Sequence, residues 1–249
     1  MNHETNHQPN RQGGFTLVEL LLAMTFVSLL LAAIAMTIIQ MTSIYTKGLT
    51  MRAVDQVGQA VSQDIRRSIE AARPLRIGDT PAGDVNYRPQ VLFGGDVNNA
   101  DGGRLCTGSY SFIWNLGKSF ASPDKVNEYD GRSGLIRLVK VPDNGAIYCS
   151  DLTMKVDYDR ATEMLNAGDR ELALQSFNIR AVTDSTDAQQ VLYQIRLELG
   201  TNDREAVEKD LITLDTSCKP PGDSQGLKDF CAVNKFEFTA RAGNAGGGR

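Results

Sequence analysis

Gly13-Gly14-Phe15-Thr16-Leu17-Val18-Glu19 opens a run that continues through Leu20–Ile39, 20 residues without a formal charge. As a helix, that length suffices to cross the ~30 Å hydrocarbon core of a bilayer. The one acid in the run, Glu19, is the fifth residue after the second glycine. A carboxylate inside an apolar span costs several kcal/mol, on the order of 3 or more, so Glu19 is a candidate functional residue. The glycine pair stands before the apolar run, in a leader whose only formal charges are Glu4 and Arg11. A secretory signal has the reverse order, with a basic region, an apolar core and the cleavage site behind that core. A plain anchor has no use for Glu19.

The helical pattern continues past the apolar run and becomes amphipathic. Ile44, Met51, Val54, Val57 or Gly58, Val61, Ile65 and Ile69 recur at steps of three and four, and Asp55, Gln59, Gln63, Arg66 and Arg67 fall mostly on the other side. Arg73-Pro74 is the expected stop, because a residue before proline is pushed out of the helical region. Beyond it come short runs that alternate as strands do: Ser109–Leu116, Leu135–Val141, Ala146–Cys149, Leu152–Tyr158, Ser176–Val182, Gln190–Leu199 and Lys235–Arg241. Asn144-Gly145 between the second and third is a hairpin signal. Asp159–Gln175 reads as a short helical excursion, and Ile77–Asp101, rich in Gly, Pro, Asp and Asn, as irregular chain. One long helix followed by antiparallel strands predicts an α+β fold, the helix packed on one face of an antiparallel β-sheet.

Composition removes several chemistries. Both histidines, His3 and His7, precede Gly14, so the chain from Phe15 on has no imidazole for Ser-His-Asp or Cys-His catalysis or for metal binding. Nucleophile-elbow, P-loop and dinucleotide fingerprints are absent. A net charge of −4 gives no global attraction to nucleic acid. The reading is a protein that is not an enzyme and uses no cofactor. Asp96–Gly103 has the oxygen-rich look of a calcium loop, but its fifth place is Ala100, its glycine comes one residue late, and no glutamate stands twelfth. A polar turn is the preferred reading, and no metal site is assigned. Arg66, Arg67, Arg73 and Arg76 read as a solvated face near a helix C-terminus, with lipid head groups or DNA as the competing use. Tyr110, Phe112 and Trp114 read as sheet core ahead of a base-stacking platform.

Cys106, Cys149, Cys218 and Cys231 show no CxxC spacing. Four cysteines permit three pairings. Cys106–Cys149 and Cys218–Cys231 are favoured because each pair brackets a compact segment with loop residues, the second containing Pro220-Pro221-Gly222. Closing a loop of that size stabilises by about 3 kcal/mol in the chain-entropy picture. Four reduced, buried thiols are the arrangement that sequence leaves open.

The string Gly13-Gly14-Phe15-Thr16-Leu17-Val18-Glu19-Leu20 resembles the processing signal of type IV pilins and of the pseudopilins of type II secretion. The match covers residues 13–40. The resemblance implies cleavage between Gly14 and Phe15 by a prepilin peptidase that also N-methylates Phe15, and assembly in which Glu19 meets the N-terminal amine of a neighbouring subunit. It further implies a pilin-like fold and a disulfide-closed loop near the C-terminus. On that plan residues 1–14 are a leader, 15–39 a membrane and filament-core helix, 40–73 its amphipathic continuation, and 74–249 a β-rich extracytoplasmic domain. Length and the late strand Gln190–Leu199 are similar to the larger minor pilins of the W or J kind. The implied partners are other pilin subunits, the peptidase and the pilus assembly machinery, with a surface ligand or DNA beyond them. The implied location is the cytoplasmic membrane, then the cell surface. A secretion pseudopilin, a tip adhesin or DNA receptor, and an anchored surface protein that never polymerises are the competing roles.

Overall fold

The structure is a computed structural model that describes residues 14–77, 90–94, 101–120, 126–151, 153–168, 170–182, 191–203, 205–210, 215–219 and 231–243. The helix α1 spans Leu17–Glu70. Compactness divides the chain into two units at Tyr45/Thr46.

In the first unit α1 is exposed at every described side chain from Phe15 to Thr42. It is long and apolar enough to cross a membrane. The hydroxyls of Thr25, Ser28, Thr37 and Thr42 bond back to carbonyls within the helix. Thr25 donates to Leu22 O at 2.9 Å, Ser28 to Met24 O at 2.8 Å and Thr42 to Ile38 O at 2.9 Å. Back-bonding of this kind lets a hydroxyl sit in hydrocarbon without an orphaned donor.

The second unit holds the rest of α1 and, among the described residues, eleven strands. β1 (Val91–Gly94), β2 (Gly102–Cys106), β3 (Tyr110–Asn115), β4 (Leu138–Pro142) and β5 (Thr162–Glu163) form one sheet in the order β1-β2-β3-β4-β5, antiparallel throughout. A second sheet has the order β11-β8-β7-β6, made of β6 (Asn166–Ala167), β7 (Arg170–Ala181), β8 (Val191–Thr201) and β11 (Val233–Ala242). β9 (Val207–Lys209) and β10 (Thr216–Cys218) pair as a short ribbon. The order is α+β with antiparallel sheets, as the element pattern predicts.

On α1 the buried stripe is Val54, Gly58, Val61, Ile65 and Ile69, a step of four or three each time. Ile44 and Met51 were expected on that stripe. Both are exposed, at 74% and 51%, Ile44 within the first unit. The helix stops at Glu70, where Ala72 N–H bonds Ile69 O, four residues ahead of Pro74. The stripe packs on a core that includes Leu105, Phe112, Trp114, Leu138, Leu174, Ile195, Leu197 and Phe238. The first sheet is buried on its other face too, where Ile113, Ile136, Val139, Val141, Val156 and the Cys106–Cys149 pair form a smaller core. Alternation along β3 therefore sends Phe112 and Trp114 one way and Ser111, Ile113 and Asn115 the other, and all five are buried. Trp114 lies 4.4 Å from Phe177 and 6.3 Å from Phe93, ring centre to ring centre. Opposite it in the register stands Gly103, where a Cβ would meet the indole at 2.6 Å.

Several sequence expectations are corrected here. Asp159–Gln175 is not helical beyond a single 3-10 turn at Tyr158–Arg160; β5, β6 and the start of β7 occupy the rest. The misleading feature is a bulge at Gln175. Leu172 and Leu174 point inward before it, Phe177 and Ile179 after it, so the period of two is broken in mid-strand. The Gln175 side-chain amide donates to Thr201 O at 2.9 Å. Ala146–Cys149 is a 3-10 turn at Ile147–Cys149 entered through Ala146 at φ 58°, and Asn144-Gly145 turns the chain without making a two-strand hairpin. Within Leu152–Tyr158 the described residues contribute one bridge, Val156 to Tyr129. Ile77–Asp101 contains β1, which sequence reading passed over; 78–89 and 95–100 lie outside the described residues.

Candidate functional site

Gly14 and Phe15 immediately precede α1, and Phe15 is 87% exposed. The helix, whose first residue is Leu17, is capped by Thr16. Its side chain accepts from Glu19 N–H at 3.3 Å, while Glu19 Oε2 accepts from Thr16 N–H and from Thr16 Oγ1, each at 3.0 Å. This is a reciprocal capping box, which satisfies two of the orphan donors of the first turn. The negative charge also lies at the positive end of the helix dipole. Thr16 bonds forward to Glu19, and the Thr-x-x-Glu spacing is the sequence signal of such a cap.

Each element of this segment follows from its residues. Leu17 through Met36 are mostly helix formers or small residues, and the β-branched Val18, Thr25, Val27 and Ile34 stand apart; the three that adjoin, Thr37-Ile38-Ile39, come only at the end of the apolar run. The Thr16 amide and hydroxyl both bond one carboxylate oxygen of Glu19, Oε2. The cap begins at the Thr16 amide and uses no atom of Gly14 or Phe15. Residues 1–13, with His3 and His7, lie outside the described residues.

The four cysteines lie in the second unit as two disulfides, Cys106–Cys149 and Cys218–Cys231. Beside the first lies a feature that sequence reading missed. Arg104, on β2, is fully buried. Its Nε donates to Asn127 Oδ1 at 2.8 Å, Nη1 to Tyr148 O at 2.9 Å and to Asp151 O at 2.8 Å, and Nη2 to Met154 O at 2.5 Å. Burial pushes the guanidinium down to about 10, with Asp151 opposing, so it is charged at neutral pH. Asn127 is buried as well, and its amide donates to Trp114 O at 2.7 Å. Asp143, 3% exposed, accepts from Ser111 Oγ at 2.5 Å, Ile147 N–H at 2.9 Å and Tyr148 N–H at 3.2 Å. The loop 143–154 is thus held from both ends by buried polar groups. Its carbonyls go to a guanidinium instead of to a neighbouring strand, which is why its strand-like sequence forms none.

Arg66, Arg67, Arg73 and Arg76 are all exposed, and Arg66 stands 5.3 Å over the Phe238 ring. Phe112 and Trp114 are core, while Tyr110 is 40% exposed, with Lys140 Nζ 4.2 Å from its ring. Lys140 also bonds Asp64 Oδ1 at 2.7 Å, which ties β4 to α1 within the second unit. Of the calcium-like loop, residues 96–100 lie outside the described residues; Asp101 pairs with Lys118 at 3.2 Å, and Gly102-Gly103 open β2. Among the described residues no group of three or more His, Cys, Asp or Glu is placed to hold a metal. No family model, curated protein or solved structure matches the chain.

Proposed function

We propose that this chain is a type IV pilin-like subunit, a minor pilin that is cut after Gly14, N-methylated on Phe15 and built into a filament through α1. The observation that carries the reading is the placement of Glu19 in the first turn of a helix whose apolar segment is exposed as far as Thr42, just behind Gly14-Phe15. An exposed apolar surface of that extent has to be covered. Lipid covers it in a membrane, and the helices of neighbouring subunits cover it in a filament. The role of Glu19 in assembly follows from the same chemistry. A carboxylate and an α-amine that meet in an apolar medium neutralise each other, and an incoming subunit out of register would leave both uncompensated.

The second unit is then extracytoplasmic, in a compartment where disulfides persist. Its partners are other pilin subunits, the processing peptidase and the assembly machinery. The location is the cytoplasmic membrane before assembly and the cell surface after it. The test is mass spectrometry of the N-terminal peptide from filaments sheared off cells, set beside the membrane fraction. The expected peptide begins at N-methyl-Phe15 in the sheared fraction, and Glu19→Ala removes it from that fraction while leaving it in the membrane. A chain that still begins at Met1, or that never leaves the membrane, overturns the proposal.

A further inference from the structure

We propose that Arg104 is a positioning residue for the Cys106–Cys149 thiol pair: it folds the loop around Cys149 onto β2 before oxidation, and so makes this pair a ready substrate for thiol–disulfide exchange. Arg104 and Cys106 are two residues apart on β2, so their side chains leave the same face of the sheet. The guanidinium grips the carbonyls of Tyr148, Asp151 and Met154, which bracket Cys149 on both sides. Asp143 fixes the preceding turn through the Ile147 and Tyr148 amides. None of these bonds needs the disulfide. Cysteines 43 residues apart meet seldom in a flexible chain, and the clamp replaces that search with a preset approach. Buried charge-assisted bonds of this kind are strong for their number.

The exchange itself balances with a disulfide as oxidant. One cysteine thiolate attacks the S–S bond of the oxidant, here oxidised glutathione; a mixed disulfide forms and one glutathione thiolate leaves. The second cysteine thiolate attacks the mixed disulfide, the Cys106–Cys149 bond forms and the second glutathione leaves. The two protein thiols lose two electrons to the glutathione disulfide and release their two protons to solvent.

The experiment equilibrates the full chain, in mild detergent, with graded mixtures of reduced and oxidised glutathione, traps thiols by alkylation and reads each pair by peptide mass. Arg104→Met is expected to lower the effective concentration of the Cys106–Cys149 pair at least tenfold and to leave Cys218–Cys231 within threefold. An unchanged first pair overturns the proposal. If Arg104→Met unfolds the second unit, which Trp114 fluorescence shows, the converse variant decides. Cys106→Ala with Cys149→Ala keeps Arg104, and its Ile147 and Tyr148 amides should exchange hydrogen within about threefold of the oxidised parent. A hundredfold acceleration there means the covalent bond holds the loop, and the proposal fails.

Discussion

Gly58 lies on the buried stripe of α1, and a Cβ built there would come within 2.1 Å of Phe236 Cζ and 2.2 Å of Phe236 Cε2. Ordinary carbon contact needs about 3.5 Å, so Gly58→Ala forces the ring tip to retreat by more than an ångström. Overpacking of this kind costs about 1–3 kcal/mol. Against it, alanine in a helix interior is favoured over glycine by about 1 kcal/mol. Phe236 is half-buried and has some room to swing, so the expected net is a change from about neutral to a destabilisation of about 2 kcal/mol. In a Phe236→Ala background the obstruction is gone, and the same substitution should stabilise by about 1 kcal/mol. The coupling between the two sites is therefore about 1–3 kcal/mol, well outside the additivity expected of independent positions. The assay is urea denaturation of the full chain in mild detergent, followed by Trp114, the single tryptophan, which is 1% exposed and sits in the core beside Phe177. A coupling under about 0.5 kcal/mol would refute the argument that this ring is what requires a glycine.

Thr16→Val removes both of the hydroxyl's contacts in the capping box and should weaken the first turn by about 1 kcal/mol, seen as faster amide exchange at residues 17–20 in micelles; Thr16→Ser should restore it. Lys140 and Asp64 are paired at 2.7 Å with side chains 21% and 36% exposed, so a double-mutant cycle with Lys140→Met and Asp64→Asn should return a coupling of about 0.5–1 kcal/mol that shrinks in high salt. Tyr129 is held up to about 12 from 10.0, by burial first and then by Glu163 and Tyr158. Its phenolate is disfavoured only in the folded chain, so the stability it lends is whole below pH 10 and is lost as pH rises through 12. In a spectrophotometric titration Tyr129→Phe should lack the latest-ionising phenol, and identical curves for the two proteins would contradict the assignment.

What sequence made legible was what is encoded locally. The apolar run, the Val54-to-Ile69 stripe and the strands at Tyr110–Asn115, Val191–Thr201 and Val233–Ala242 each carry their own period. The cysteine pairs that sequence favoured are the pairs found, since each brackets a self-contained segment. What stayed hidden depends on partners distant in the chain. Arg104 has the look of a surface arginine, and nothing near it announces three carbonyls 44 to 50 residues away. β2 begins with two glycines, poor strand formers, because the Trp114 indole lies across the second of them. The bulge at Gln175 hid a twelve-residue strand by inverting its alternation halfway. At the N-terminus the miss was different in kind. Thr16 and Glu19 carry the capping-box spacing in plain sequence, and the rarity of an acid inside an apolar run overshadows that local signal.

The two sheets differ in how freely their residues can change. β2, β3 and β4 are covered on both faces, so almost any substitution there disturbs one core or the other. The second sheet keeps a face to solvent, lined by Asn178, Arg180, Lys235, Glu237, Thr239 and Arg241. Drift across related chains should therefore concentrate on that outer face, where a new side chain displaces only water. A lineage under pressure to alter what this protein presents to its surroundings has that face as its least constrained canvas, while the first sheet stays nearly fixed beneath it.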